Sequence, residues 1–244
     1  MLTVKDIAKM IDHSLLNPKF TNDDIRSGCE LAKKYGVATV CVRPTDVKLA
    51  AELLKDSDVI PTTVIGFPHG SNRTDIKVLE AEKAISDGAM EIDMVLNIGK
   101  LLSGEYDYVR QDIQAVCDYA HERNVVVKVI FENCYLSDEQ KIIACRLCDE
   151  TGADFVKTST GYGTNGATSE DLILMRKHTK PETKIKAAGG IRTLDNALAV
   201  RKLGCARFGA TATKAILEEA TRRFEKGELA ELSDDAEIII GGSY

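Results

Sequence analysis

The chain is short of histidine, of dense cationic runs and of long apolar stretches, and each shortage removes a class of function. Its four histidines, His13, His69, His121 and His178, share no metal-ligand spacing, and H-E-x-x-H is absent. No metal site is expected. Net charge is −6 and no Lys/Arg-dense segment occurs, so the electrostatic footprint of a nucleic-acid binder is missing. No apolar run approaches the ~18 residues of a membrane span, and the first ten residues are a short amphipathic segment with no cleavage site. Seven cysteines are scattered, and Cys145 and Cys148 form a C-x-x-C without the second pair that a zinc site needs. At that spacing the two share a helix face. These absences point to a soluble, reduced, cytoplasmic protein with no nucleic-acid or membrane partner.

No linker or composition break divides the 244 residues, of which 44% are hydrophobic and 29% charged. A single domain over 1–244 is expected, ending in a flexible tail from about 233. After a short N-terminal helix within residues 2–10, strand-like and helical runs alternate. I-D-H-S-L-L (11–16) reads as a brief strand. Thr21 with Asp24 opens a helix that stops at Gly36. V-A-T-V-C-V (37–42), V-I-P-T-T-V-I-G-F (59–67), A-M-E-I-D-M-V-L (89–96) and V-V-V-K-V-I-F-E (125–132) follow as strands, each with a helix after it. N-I-G-K-L-L-S-G (97–104) reads as a loop. Three further strands, at 153–157, 184–190 and 205–210, alternate with helices near 169–178, 193–202 and 211–224. Eight such units at this length predict an α/β chain folded as a (β/α)8 TIM barrel. An open doubly wound sheet is the alternative if the first strand fails. Against it, G-x-G-x-x-G follows no strand.

Strand parity makes the charged strand residues informative, because alternate side chains face the barrel interior. Ile92 and Met94 pack outward, so Glu91 and Asp93 point in. By the same rule Lys128, Lys157 and Lys186 point in, and they recur at a constant interval of 29 residues, one βα unit each. Two readings are open. One is a structural ion-pair network balanced by Glu91, Asp93 and Glu132. The other is chemical: a desolvated lysine beside a second cation loses its proton more readily and becomes a nucleophile for carbonyl carbon. A nearby carboxylate can then move protons. At the last two strands, Gly189-Gly190 and Gly209 with Thr193 and Thr211 at helix starts suit a phosphate, as expected at this end of a barrel. Cys41, at a strand end, is core, pocket wall or reactive thiol, and His69 lies in a strand-end loop.

Six stretches carry a family resemblance: I-D-H-S-L-L (11–16), G-F-P-H-G (66–70), E-I-D-M-V-L-N-I-G (91–99), K-V-I-F-E (128–132), A-D-F-V-K-T-S-T-G (153–161) and K-A-A-G-G-I-R-T (186–193). In this order they resemble the deoxyribose-phosphate aldolases, a family of class I aldolases. The resemblance implies a TIM barrel that reversibly cleaves 2-deoxy-D-ribose 5-phosphate to D-glyceraldehyde 3-phosphate and acetaldehyde, in deoxyribose phosphate catabolism. It implies Lys157 as the Schiff-base lysine, Lys186 as the second lysine that depresses its pKa, and Asp93 as the proton-relay carboxylate. Substrate contacts are implied for Asp12, Thr158, Gly161, Gly189, Gly190, Arg192, Gly209 and Thr211. No metal or organic cofactor is implied, and the expected assembly is a homodimer. Two positions depart from the family pattern. Ala212 stands where a hydroxyl is usual, and Tyr162 where some members have lysine. The chain ends I-I-G-G-S-Y, so Gly241 and Gly242 could hinge Tyr244 over the site, or the end could simply fray.

Overall fold

In the computed structural model, which describes residues 2–241 except 234 and 237, eight parallel strands close into a barrel in chain order. They are β1 (Ile11–Leu15), β2 (Thr39–Val42), β3 (Ile60–Ile65), β4 (Glu91–Val95), β5 (Val126–Ile130), β6 (Phe155–Lys157), β7 (Lys184–Ala187) and β8 (Arg207–Ala210). The first strand forms, and β8 pairs with it, setting Ile11 opposite Phe208 and Asp12 opposite Gly209. That closure removes the open-sheet alternative and leaves no edge strand.

The helices are α1 (Val4–Ala8), α2 (Asn22–Tyr35), α3 (Val47–Leu54), α4 (Thr74–Ser86), α5 (Ile98–Leu102), α6 (Tyr106–His121), α7 (Asp138–Thr151), α8 (Ser169–Lys177), α9 (Leu194–Lys202) and α10 (Thr213–Glu225). Their starts follow from local chemistry. Thr21 caps α2 with a reciprocal bond from Asp24, and Ser137 does the same for α7 with Gln140. Cys145 and Cys148 lie on the buried face of α7. The stretch 97–104 is not the expected loop, because α5 forms within it. The Asn97 side chain accepts the Lys100 N–H and Leu101 is buried, so a cap and an apolar anchor together stabilise one short helix.

The C-terminal segment departs from expectation at 238–240. Ser169 Oγ donates to the Ile238 carbonyl and accepts the Ile240 N–H at 2.8 Å, and Ile240 is buried. This stretch is docked on the start of α8. Gly242 and Tyr244, expected as part of a hinge and its flap, lie outside the described residues.

Outward strand residues and inward helix faces make one shell of core between barrel and helices, with Ile92, Met94, Val127, Val156, Ile185 and Phe208 fully buried. One ion pair is sealed in this shell. Lys77 of α4 meets Asp112 of α6 at 2.5 Å and donates to the Val95 carbonyl at 2.9 Å, and both side chains are fully buried. Thr74 Oγ donates to the second Asp112 oxygen. The pair ties two helices to the C-terminal end of β4, the strand that carries Asp93. Asp112→Ala strands the buried ammonium and should destabilise the fold by about 3–5 kcal/mol, read as a drop in the denaturant midpoint. A midpoint unchanged from wild type would remove this role.

Candidate active site

The barrel interior holds seven charged side chains from six strands. Asp93 is at their centre: it accepts from Lys128 at 2.9 Å, from Lys157 at 2.7 Å and from Lys186 at 2.8 Å. Register explains the convergence. Asp93 lies opposite Lys128, and Lys157 opposite Lys186, so alternation aims all four at one point. Lys186 also reaches Asp12 at 2.5 Å, and Lys128 reaches Glu91 at 2.5 Å. Arg207 closes the ring by donating to Asp12 at 2.7 Å and to Glu91 at 3.2 Å. The structural ion-pair network anticipated from parity is therefore present, and it contains the candidate reactive lysine.

Burial and neighbours act differently on the three lysines. Burial lowers the Lys157 ammonium below the ordinary lysine value; Asp93 opposes this and the Lys186 cation adds to it. For Lys186 and Lys128 burial pulls the same way, but two carboxylates on the first and three on the second outweigh it, and both are raised. Asp93 is held far below the usual carboxylate range, burial being overcome by the three lysines. Lys157 is thus the cluster lysine most ready to be neutral, and its neighbour remains cationic.

Above the cluster a cavity of about 350 Å³ opens at the C-terminal ends of the strands. Lys157, Lys186 and Asp12 border it, whereas Asp93 lies fully buried beside the two lysines. Gly161, Gly189, Gly190, Arg192, Gly209 and Thr211 line it as expected. Gly189 and Gly190 have φ of +83° and +86°, a left-handed pair that other residues resist, and it exposes successive backbone groups at the cavity wall. Cys41 is pocket wall. Burial first and Asp93 second push its thiol up to about 11, so it is not a reactive thiolate.

Three expectations are corrected, for Thr158, Glu132 and Thr211. Thr158 faces away from the cavity, as alternation after the inward Lys157 requires; its hydroxyl exchanges hydrogen bonds with the Ala188 backbone and staples β6 to β7. Glu132 forms no ion pair with the lysines among the described residues. It has φ +56° and its carboxylate takes the N–H and hydroxyl of Thr160. Thr211 precedes α10 rather than starting it, and Ala212 occupies the cap position with no side-chain bond. His69 is exposed and does not border the cavity. Tyr162 turns its hydroxyl to the Leu16 carbonyl at 2.7 Å and its ring edge to Phe67, so it straps the β6–α8 loop to the β1–α2 loop. Arg207 went unnoticed in the sequence, although parity with the buried Phe208 beside it marks it as inward-facing.

A closed parallel barrel with a lysine pair around a buried carboxylate, under a glycine-lined cavity, defines the aldolase class of (β/α)8 enzymes. The model of the DeoC/LacD family aldolases matches residues 7–218, and the chain belongs to this family. It is 55% identical over 217 residues to the deoxyribose-phosphate aldolase of Thermococcus gammatolerans, covering 88% of this chain and 96% of the relative. The deoxyribose-phosphate aldolase of Caldanaerobacter subterraneus is 53% identical, with 89% and 94% covered. Among solved structures, the tetrameric deoxyribose phosphate aldolase of Aeropyrum pernix superposes with a TM-score of 0.83 at 29% identity, covering 91% of this chain and 92% of that one.

Reductive methylation followed by peptide mass spectrometry should find Lys157 modified at lower pH than Lys128 or Lys186. Lys186→Leu removes the adjacent cation and frees Asp93 to hold the Lys157 proton, so the midpoint for Lys157 should rise. A rise of one unit is about tenfold in neutral amine at fixed pH; an unmoved midpoint would contradict the electrostatic reading.

Proposed function

We propose that the chain is a deoxyribose-phosphate aldolase, a single lyase domain that cleaves 2-deoxy-D-ribose 5-phosphate reversibly through a Schiff base on Lys157. The observation that carries this reading is a lysine whose burial favours the neutral amine, bordering the cavity and hydrogen-bonded to Asp93. A neutral amine adds to the aldehyde carbon, and loss of water leaves an iminium. The iminium takes the electron pair of the C2–C3 bond as that bond breaks, giving an enamine on Lys157 and D-glyceraldehyde 3-phosphate. The C3 hydroxyl gives up its proton in the same step. Protonation of the enamine at C2 and hydrolysis release acetaldehyde and restore the amine.

Proton movement has a route in the contacts around Lys186. Lys186 borders the cavity and touches both Asp12 and Asp93, so a proton can pass between the cavity and the buried Asp93 carboxylate through its ammonium. The phosphate belongs at the opposite wall. There the Gly189-Gly190 turn, Arg192 and Thr211 offer backbone donors, one guanidinium and one hydroxyl. The start of α10 lacks a side-chain cap, which leaves its first N–H groups to an anion. Ala212 and Tyr162 thus shift the phosphate grip toward backbone donors. The cavity's residues call for no metal or organic cofactor in this sequence of steps. The seven cysteines are all free, in keeping with a reducing cytoplasm. The assembly we propose, from family resemblance, is a homodimer.

Incubation with acetaldehyde and borohydride should leave an ethyl adduct on the peptide that contains Lys157. Lys157→Leu should abolish the adduct and lower kcat/KM on 2-deoxyribose 5-phosphate by on the order of 10⁴-fold or more. Adduct formation on another lysine, or full activity without an adduct, would overturn the assignment.

A further inference from the structure

The charged cluster holds four cations, Lys128, Lys157, Lys186 and Arg207, against three carboxylates, Asp12, Glu91 and Asp93. All seven are linked by ion pairs, and six are almost completely buried, the Arg207 side chain keeping 18% exposure. With every group ionised, this linked set carries one positive charge in excess. A net charge away from water is costly, and the protein relieves it by changing a protonation state. With one lysine neutral, the cluster balances.

We propose that Arg207 is a positioning residue for the reaction: its guanidinium, without touching Lys157, supplies the excess positive charge that makes Lys157 shed its proton. The path runs through shared carboxylates. Arg207 takes Asp12 Oδ1, and Lys186 takes Asp12 Oδ2 and Asp93 Oδ2. Asp93 Oδ2 is the oxygen that also holds Lys157. Arg207 engages Glu91 as well, the second partner of Lys128. Anionic charge that would stabilise a third ammonium is already committed to a group that stays ionised throughout the accessible pH range. Lys157 is the member that yields. It borders the cavity and has a single carboxylate partner, whereas Lys128 and Lys186 have three and two.

The remaining groups around Lys157 make no ion pair with it among the described residues. From β2, the Cys41 thiol is held neutral by burial. From β3, the side chains in register with Glu91 and Asp93 are Thr62 and Val64, which carry no charge. At the end of β5, Glu132 is turned to Thr160 and forms no ion pair among the described residues; burial raises its carboxyl, while the Thr160 hydrogen bonds and, more weakly, the Lys157 charge oppose that, so it acts on Lys157 only from outside the linked set. β1, β4, β5, β7 and β8 otherwise contribute the other six cluster members.

This inference rests on the Schiff-base role of Lys157, and the test separates the two. The rate of acetaldehyde–borohydride adduct formation on Lys157 is measured against pH for the wild-type protein, Arg207→Met, Arg207→Lys and Glu91→Gln, each divided by wild type at the same pH. Arg207→Met removes a cation, so the midpoint should move up by about one unit, a loss of about tenfold on the acid limb with the alkaline plateau retained. Arg207→Lys keeps the charge and should return the midpoint to wild type. Glu91→Gln removes an anion and should move it down, and this variant decides the matter if Arg207→Met does not fold. A uniform loss at all pH values in Arg207→Met, or an upward shift in Glu91→Gln, overturns the role of Arg207 and leaves Lys157 as the Schiff-base residue. Absence of any adduct in wild type overturns both.

Discussion

Three lysines from three strands converge on one buried carboxylate, and the rest of the site depends on that contact. The three lysines hold Asp93 ionised in the barrel, and Asp93 is the carboxylate they share. Burial penalises each member alone, so the cluster exists only as a set whose charges nearly cancel. Lys157 lies at the edge of the set: inside enough to be desolvated, yet at the cavity wall. Stability and reactivity therefore come from the same groups. The apolar shell outside the strands supports this arrangement, and the sealed Lys77–Asp112 pair fixes the end of the strand that carries Asp93.

The two ends of the cavity use different physics. At the floor, long side chains reach inward from regular strands, so their positions are fixed by register to within a hydrogen bond. At the wall, the glycine turns after β6, β7 and β8 present backbone groups, and precision comes from loops stapled to one another. The Thr158 hydroxyl clamps β6 to β7. The Ala167 N–H reaches the Ala188 carbonyl across the same seam. Glu132 accepts the strain of a left-handed backbone to hold Thr160, and Tyr162 ties the loop over to Leu16. Together they fix the loops of the cavity wall relative to Lys157.

Much of this was legible in order along the chain. Capping residues marked Thr21 and Ser137 as helix starts, and alternation sorted Asp93, Lys128, Lys157 and Lys186 to the inside, because period-two geometry depends only on neighbours. Where reading failed, a distant partner decided. Thr158 looked like a ligand by its place in a motif, but its face is set by Lys157 beside it. Glu132 looked like a counter-ion until the chain turned it toward Thr160. Residues 238–240 looked like a loose end, yet Ser169, some seventy positions earlier, holds them. Asn97 is the exception: its cap is local, and the short helix it starts could have been read.

The sequence by itself determined the barrel class, the inward placing of Glu91, Asp93, Lys128, Lys157 and Lys186, and the family, since periodicity, spacing and motif order are properties of neighbouring residues. Only the tertiary structure decided which charge pairs with which. Closure of β8 onto β1 brings Arg207 to Asp12, 195 positions away, and to Glu91 across the barrel. The protonation state of Lys157 depends on that sum of buried charges, and a sum over seven side chains on six strands exists only once the strands have closed.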